Sequence, residues 1–372
     1  IEQESAEFEN LEQNIYNVSV EGGELDIRFS TNIAEDELLI YGSLGTGTWL
    51  TQETKTRASS SYMLNLTVLP NTDGVSRTAY IYFVKVTDME SIVVEMVTII
   101  QRGEVASEST DYSSDKKVRV LQTAKLGKGL PIVLMGDGFI DTEINDGTYD
   151  AVMDKAFENL FTEEPIKSLR DYFNVYAVTA VSKHNIFGTG YETALGCELA
   201  GGNSTGISGE DNAVQRYVQC VDNIDMSETL AVVILNSPAY AGTTYFGYTN
   251  QTKVVEFAIA YCPVIYDLQS ESFRQVLVHE AVGHGFAKLE DEYAYQENGT
   301  ISSKEIKNVQ YLQTLGWAQN VDFTSDPSQV LWSAFLNDNR YVSEKLGVFE
   351  GACTYIKGAY RPSEESMMNS NT

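Results

Sequence analysis

Over residues 1–103 polar and apolar side chains alternate. Glu24-Leu25-Asp26-Ile27-Arg28-Phe29-Ser30 has period two, the pattern of a strand with one buried face. Residues 78–84 and 92–100 are rich in β-branched and aromatic side chains, and Gly22-Gly23, Pro70-Asn71 and Asp73-Gly74 supply turns. Short strands without a helical pattern predict a β-sandwich. Residues 104–117 then lose periodicity and become polar and serine-rich, a linker composition.

Beyond residue 117 the pattern is mixed. Residues 130–135 form a buried-strand run ending at Gly136-Asp137-Gly138, while Val152, Met153, Ala156, Phe157, Leu160 and Phe161 recur at helical spacing. Further strands are predicted at 173–181, 229–235 and 254–260, and helices at 212–220 and from Ser272. Strands alternating with helices predict an α/β layer over residues 118–372. Gly136-Asp137-Gly138 lacks both the lysine of a phosphate loop and the glycine spacing of a dinucleotide fingerprint, so it reads as a turn.

Charge removes several partners. The chain has 372 residues, with 25 basic against 53 acidic side chains and a net charge of −28. Nucleic acids and anionic membranes need basic patches, so neither is expected. Twenty-two tyrosines exclude a disordered acidic chain. No apolar run reaches the roughly 18–20 residues that cross a bilayer, so no transmembrane segment is expected. Cys197, Cys220, Cys262 and Cys353 form no Cys-x-x-Cys pair, which leaves two readings: bridges in an exported protein, or buried thiols.

The candidate chemistry lies in the histidines. There are three, His184, His279 and His284, and two fall in His279-Glu280-Ala281-Val282-Gly283-His284, on an apolar run with Phe273, Val276 and Leu277. A metalloprotease helix carries His-Glu-x-x-His, whose rings point roughly 40° apart on one face. A gap of five turns them about 140° apart in a regular helix, too far to share an ion. Either the histidines are unrelated, or a π-bulge at residues 281–283 returns His284 to the face of His279, with Gly283 taking the distorted backbone.

The next residues, Gly285-Phe286-Ala287-Lys288-Leu289-Glu290-Asp291-Glu292-Tyr293, extend the motif. With it they resemble the bacterial IgA-specific metallopeptidase family, zincins whose signature continues from the second histidine through a small residue, Phe, Leu and Asp-Glu-Tyr. Gly351-Ala352-Cys353-Thr354-Tyr355 and the run from Gly358 to Met368 resemble that family's closing segment. Upstream, Trp49-Leu50, Pro70-Asn71-Thr72, Arg77-Thr78-Ala79 and the run from Val97 to Gly103 resemble the Bacteroidetes-associated carbohydrate-binding, often N-terminal (BACON) domain.

The resemblance implies an α+β chain in which a β-sandwich precedes a zincin-like, metzincin-like α/β catalytic domain. It implies Zn2+ held by His279 and His284, with Glu280 as general base for hydrolysis of peptide bonds by zinc-bound water. Met367 or Met368 would form the methionine turn beneath the metal, and the Tyr360 hydroxyl would stand near the substrate carbonyl. For the third ligand, His184 reads as an exposed loop residue, and Glu290 occupies a variable position of the signature. Asp291 and Glu292 remain. Asp291 is preferred because its shorter side chain demands a fixed backbone, leaving Glu292 to hold a ligand or the loop from behind.

Export follows from the same resemblance, as a secreted or cell-surface protein, including a lipoprotein of a gut bacterium, with its signal segment outside this chain. The expected substrate is an extracellular protein or glycoprotein, pairing along a sheet edge formed by the strand at 254–260. The N-terminal domain is expected to contact glycan or to act as a spacer. The alternative is an inactive zincin-fold protein that binds glycan or protein at a surface, which the retained Glu280 disfavours.

Overall fold

The computed structural model describes residues 8–9, 11, 15–18, 20, 22–43, 49–58, 61–71, 77–87, 91–101, 107–188, 191–199, 206–250 and 253–370. The chain falls into two compact units: Ile1–Ser113 with Gly138–Glu143 and Val181–Glu210, and Ser114–Asp137 with Ile144–Ala180 and Asp211–Thr372.

The described residues of the first unit begin with the strands β1 (Phe8–Glu9), β2 (Ile15–Val18), β3 (Gly23–Thr31), β4 (Leu38–Ser43), β5 (Leu50–Ala58), β6 (Ser61–Val68), β7 (Arg77–Val86) and β8 (Ser91–Gln101). They form two sheets, ordered β1-β3-β6-β5 and β2-β8-β7-β4. Alternation decides which side chains meet between them: Ile27 and Phe29 of β3 are buried while Asp26 and Arg28 are exposed. The core joins these to Leu64, Leu66, Ala79, Ile81, Phe83, Val97 and Ile99. Gly22 turns into β3 at φ +72, and a Cβ there would meet the Val68 carbonyl oxygen at 2.1 Å, so only glycine fits. The turn expected at Asp73-Gly74 lies outside the described residues. Within the polar stretch that follows, the Thr110 and Asp111 N–H groups both donate to Asp141 Oδ2, at 2.9 and 2.7 Å.

The second unit is built on a six-stranded sheet. Its elements are β9 (Val118–Gln122), β10 (Leu130–Asp137), α1 (Asp141–Asn145, which straddles the two units), α2 (Thr148–Leu160) and β11 (Phe173–Val178). The first unit's short ladder of β12 (Glu198–Leu199) and β13 (Ile207–Ser208) intervenes. Then come α3 (Asp211–Val218), β14 (Leu230–Leu235), β15 (Thr243–Asn250), β16 (Lys253–Pro263) and α4 (Glu271–Leu277). The sheet order is β15-β16-β14-β10-β11-β9. The four inner strands are parallel and the two edges antiparallel. All six residues of β14 are buried, as expected where both faces are covered.

One expectation is corrected here. The strand predicted at 254–260 is interior, because β16 pairs with β14 on one side and β15 on the other. The edge is β15, whose run is interrupted by Gly247 at a bulge.

After the helical segment that carries both histidines come β17 (Ala294–Thr300), α5 (Ser303–Thr314), β18 (Phe349–Ala352), β19 (Thr354–Arg361) and α6 (Met367–Ser370). Strands β17, β19 and β18 form a small sheet. Ile301, Val309, Ala318, Val321 and Ala359 are part of the core there. All four cysteines are thiols, with Cys197, Cys262 and Cys353 buried. No helix among the described residues is long and apolar enough to cross a membrane.

Candidate metal centre

Helix α4 begins conventionally. Ser270 accepts a hydrogen bond from the Phe273 N–H at 3.2 Å, Glu271 lies in the first turn, and Phe273, Val276 and Leu277 are buried. The helix then widens without a break into a π-helical segment, Val278–Phe286, buried throughout except at Phe286. Its i→i+5 bonding is the spacing of the two histidines, so His284 returns to the side of His279. Their ring centroids lie 4.8 Å apart, with planes at 80°. The expected wide turn is present and extends over nine residues, well beyond residues 281–283.

Gly283 has a different role from the one expected. A Cβ there would stand 2.1 Å from Met368 Sδ, so glycine is required for the close approach of Met368. At Gly285 a Cβ would meet Leu230 Cδ1 at 2.6 Å, so the segment packs directly on β14.

Each imidazole is fixed from behind. His279 Nδ1 lies 2.8 Å from the Met367 carbonyl oxygen and His284 Nδ1 2.7 Å from that of Leu289. A carbonyl only accepts, so both Nδ1 atoms carry the proton and donate it. In the neutral ring, Nε2 is then the nitrogen with a free lone pair. Both Nε2 atoms face Asp291 Oδ1, each at 3.1 Å. One ligand atom from each of His279, His284 and Asp291 can be chosen so that all lie within 4.8 Å of one another. Two buried imidazole nitrogens and a partly buried carboxylate, converging with the ring tautomers set, suit Zn2+ as a donor set.

The local electrostatics follow from burial and proximity. Burial opposes an ionised Asp291, but hydrogen bonds and charge from the two imidazoles outweigh it and hold the carboxyl well below the usual range. Burial likewise opposes a charged His284, yet the bond to Asp291 and its charge push the imidazole up to about 9. Burial raises Glu280, against the opposing pull of both histidines and Thr244. Glu280 Oε2 accepts from the Thr244 hydroxyl at 2.8 Å, and Oε1 lies over Gly242.

Glu292 is buried but stands outside this cluster. Its Oε1 accepts from Asn320 Nδ2 at 2.9 Å and its Oε2 from the Ser366 hydroxyl at 2.6 Å, while its N–H donates to the Met368 carbonyl. It therefore ties the loop to the methionine segment. Of the two methionines, Met368 lies against the widened helix and Met367 supplies the carbonyl that orients His279.

Tyr360 sits on β19, its backbone exchanging two hydrogen bonds with Asp322, and its hydroxyl makes none with His279, Glu280, His284 or Asp291. Tyr293 is the tyrosine found at the cluster. Its ring stacks on His279 at 6.3 Å, and burial together with the nearby Asp291 charge pushes its hydroxyl well above the usual phenol range. His184 belongs to the first unit, where its Nδ1 accepts from the Glu192 N–H at 2.9 Å; it is partly buried, not the exposed loop residue expected. Thr244, Gly242 and Phe246, stacked on His284 at 6.0 Å, are site neighbours the periodicity did not reveal, because β15 itself was not read.

A family model described as IgA Peptidase M64 matches residues 118–343. The BACON model, described as "Putative binding domain, N-terminal", matches residues 34–102. No curated protein matches. Among solved structures, a Bacteroides ovatus GH5 xyloglucanase in complex with a XXXG heptasaccharide is 18% identical at TM-score 0.20, covering 30% of this chain and 21% of that one. Tandem Ig repeats of Dlar are 7% identical at TM-score 0.18, covering 36% and 60%. The GspB Siglec domain is 13% identical at TM-score 0.19, covering 47% and 95%.

Proposed function

Since the chain belongs to the IgA peptidase M64 family, we propose that it is a zinc-dependent endopeptidase of extracellular proteins or glycoproteins. The observation that carries this reading is the convergence of His279 Nε2, His284 Nε2 and Asp291 Oδ1, with both Nδ1 protons committed to carbonyls. These three residues would hold the metal. When bound, Zn2+ supplies Lewis acidity and lowers the pKa of a coordinated water.

The chain's own groups do the rest. Glu280, adjacent to His279, takes a proton from the attacking water on its carboxylate and returns it to the leaving amine. Burial makes this carboxylate more basic than an exposed glutamate, as a general base requires. Tyr293, at the cluster, is better disposed than Tyr360 to act beside the substrate carbonyl. Edge strand β15, antiparallel to β16, is the strand along which an extended polypeptide would add. The parallel sheet centre, the antiparallel edge beside the histidine helix and the methionine segment together support a zincin-like arrangement of residues 118–372. Glu280, buried and seated by Thr244, speaks against an inactive binding protein.

The same reading extends to the N-terminal half. Residues 1–103 form a sandwich module joined through 104–117. BACON domains occur in extracellular or surface proteins, which supports an exported, secreted or cell-surface protein, lipoprotein forms included. In the sandwich, Tyr41 and Tyr82 pair at 5.3 Å and Tyr80 and Tyr82 at 6.4 Å, with Tyr41 exposed, a surface suited to glycan contact.

The test is Glu280→Gln on a protein found by screening native glycoproteins. We expect one zinc per chain in both forms, with hydrolysis lost in the variant. Equal rates for the two would remove Glu280 from the mechanism.

A further inference from the structure

The wide turn brings the Glu280 carboxylate against the edge strand, and two residues of that strand region shape its seat. Thr244 of β15 lies opposite Ala260 of β16. Its hydroxyl stands 2.8 Å from Glu280 Oε2 and 2.9 Å from the backbone carbonyl oxygen of the same glutamate. Both are acceptors, so one hydroxyl proton serves the side chain and the main chain of a single residue. Threonine is stiff at χ1, which makes this a fixed anchor on a paired strand and not a mobile contact.

Gly242 closes the seat from the other side. A Cβ at that position would lie 2.5 Å from Glu280 Oε1, 2.7 Å from its Cγ and 2.8 Å from Val276 Cγ1. Gly242 has no positive φ that would call for glycine, so the close approach of the glutamate is the reason this position carries no side chain. One carboxylate oxygen is held by a hydroxyl while the other rests where a methyl group would be.

We propose that Thr244, with the space left by Gly242, is the positioning residue that fixes the Glu280 carboxylate for proton transfer. The inference rests on the reading of Glu280 as general base. The Thr244 hydroxyl bonds Glu280 and none of the three candidate ligands, so it acts through Glu280. A catalytic group displaced by about 1 Å costs on the order of 100-fold in rate, so its anchor carries a kinetic signature.

The test compares Thr244→Val, which keeps the shape and removes the hydroxyl, with Thr244→Ser, which keeps the hydroxyl. Thr244→Val should lower kcat roughly 10- to 100-fold, the worth of a hydrogen bond to a charged group, with KM nearly unchanged. Thr244→Ser should recover most of that loss. Zn2+ titration of the metal-free protein should give the same affinity for both variants and the wild type. A crystal structure of Thr244→Val should show the Glu280 carboxylate displaced from its wild-type position, a readout independent of any substrate.

An unchanged kcat with Glu280 still in place overturns the proposal, as does a loss of zinc affinity in Thr244→Val equal to its loss of activity. Full activity of Glu280→Gln would instead sink the general-base reading beneath it, so the two failures are distinguishable.

Discussion

Helix α4 and the π-helical segment that continues it are one rod with two geometries. In α4 the buried residues Phe273, Val276 and Leu277 follow the i, i+3, i+4 spacing of an ordinary amphipathic helix, and Ser270 caps its start. Val278–Phe286 has no polar face: its charged and imidazole side chains are buried with its apolar ones. A regular helix is set by local sequence and one buried stripe. The wide segment is held mostly by partners distant in sequence, namely Met368 against Gly283, Leu230 against Gly285, Met367 on His279 and Thr244 on Glu280, with the nearby Leu289 on His284. The first part serves packing, and the second carries the candidate metal site.

That contrast can be broken from either side. The largest effect is expected at the cluster itself. Asp291→Ala should abolish tight zinc binding, while Glu292→Ala, which removes only a support of the loop, should weaken it about 10- to 100-fold. Intact affinity in Asp291→Ala with loss in Glu292→Ala, read by zinc titration, would reverse their roles.

In α4, Leu277→Ala should cost about 2–5 kcal/mol of stability through the cavity it leaves. Zinc affinity of the folded fraction should be retained, and denaturant unfolding with and without zinc measures both. Loss of zinc binding by the folded Leu277→Ala protein would mean the two geometries are not separable.

Gly283→Ala should cost about 1–3 kcal/mol by overpacking against Met368. Unlike the α4 change it should also lower zinc affinity, because Met368 is next to the residue whose carbonyl orients His279. Pairing it with Met368→Ala should recover part of the stability. No recovery in the double variant would place the strain elsewhere.

Smallest is the cap. Ser270→Ala should cost about 1 kcal/mol with no change in zinc affinity, as thermal unfolding and metal titration can show.

The same contrast explains what the sequence made legible. Strands with one buried face, such as β3, announce themselves by period two, and α4 by its apolar spacing. The five-residue histidine gap pointed to a wide turn because a regular helix cannot bring both rings to one ion. Its length was not legible, since it depends on packing against Leu230 and Met368. Strand β15 went unread because Thr243-Thr244-Tyr245-Phe246-Gly247 has neither alternation nor an apolar run, and with it went Thr244 and Gly242. Strand β5 is polar for a related reason: it lies at a sheet edge, where charge and hydroxyls are tolerated. For the third ligand the signature left two carboxylates, with Asp291 preferred for its shorter side chain. In the fold Asp291 lies between the imidazoles and Glu292 faces Asn320 and Ser366.

The central claim is that the widened turn makes a five-residue histidine pair into one metal site. A crystal structure of the zinc-loaded protein, with the ion identified by its anomalous signal, tests it most directly. We expect a single Zn2+ at roughly 2.0–2.2 Å from His279 Nε2, His284 Nε2 and a carboxylate oxygen of Asp291, with the π-helical segment intact. A regular α-helix with His284 turned away, or an ion bound without it, would contradict the account.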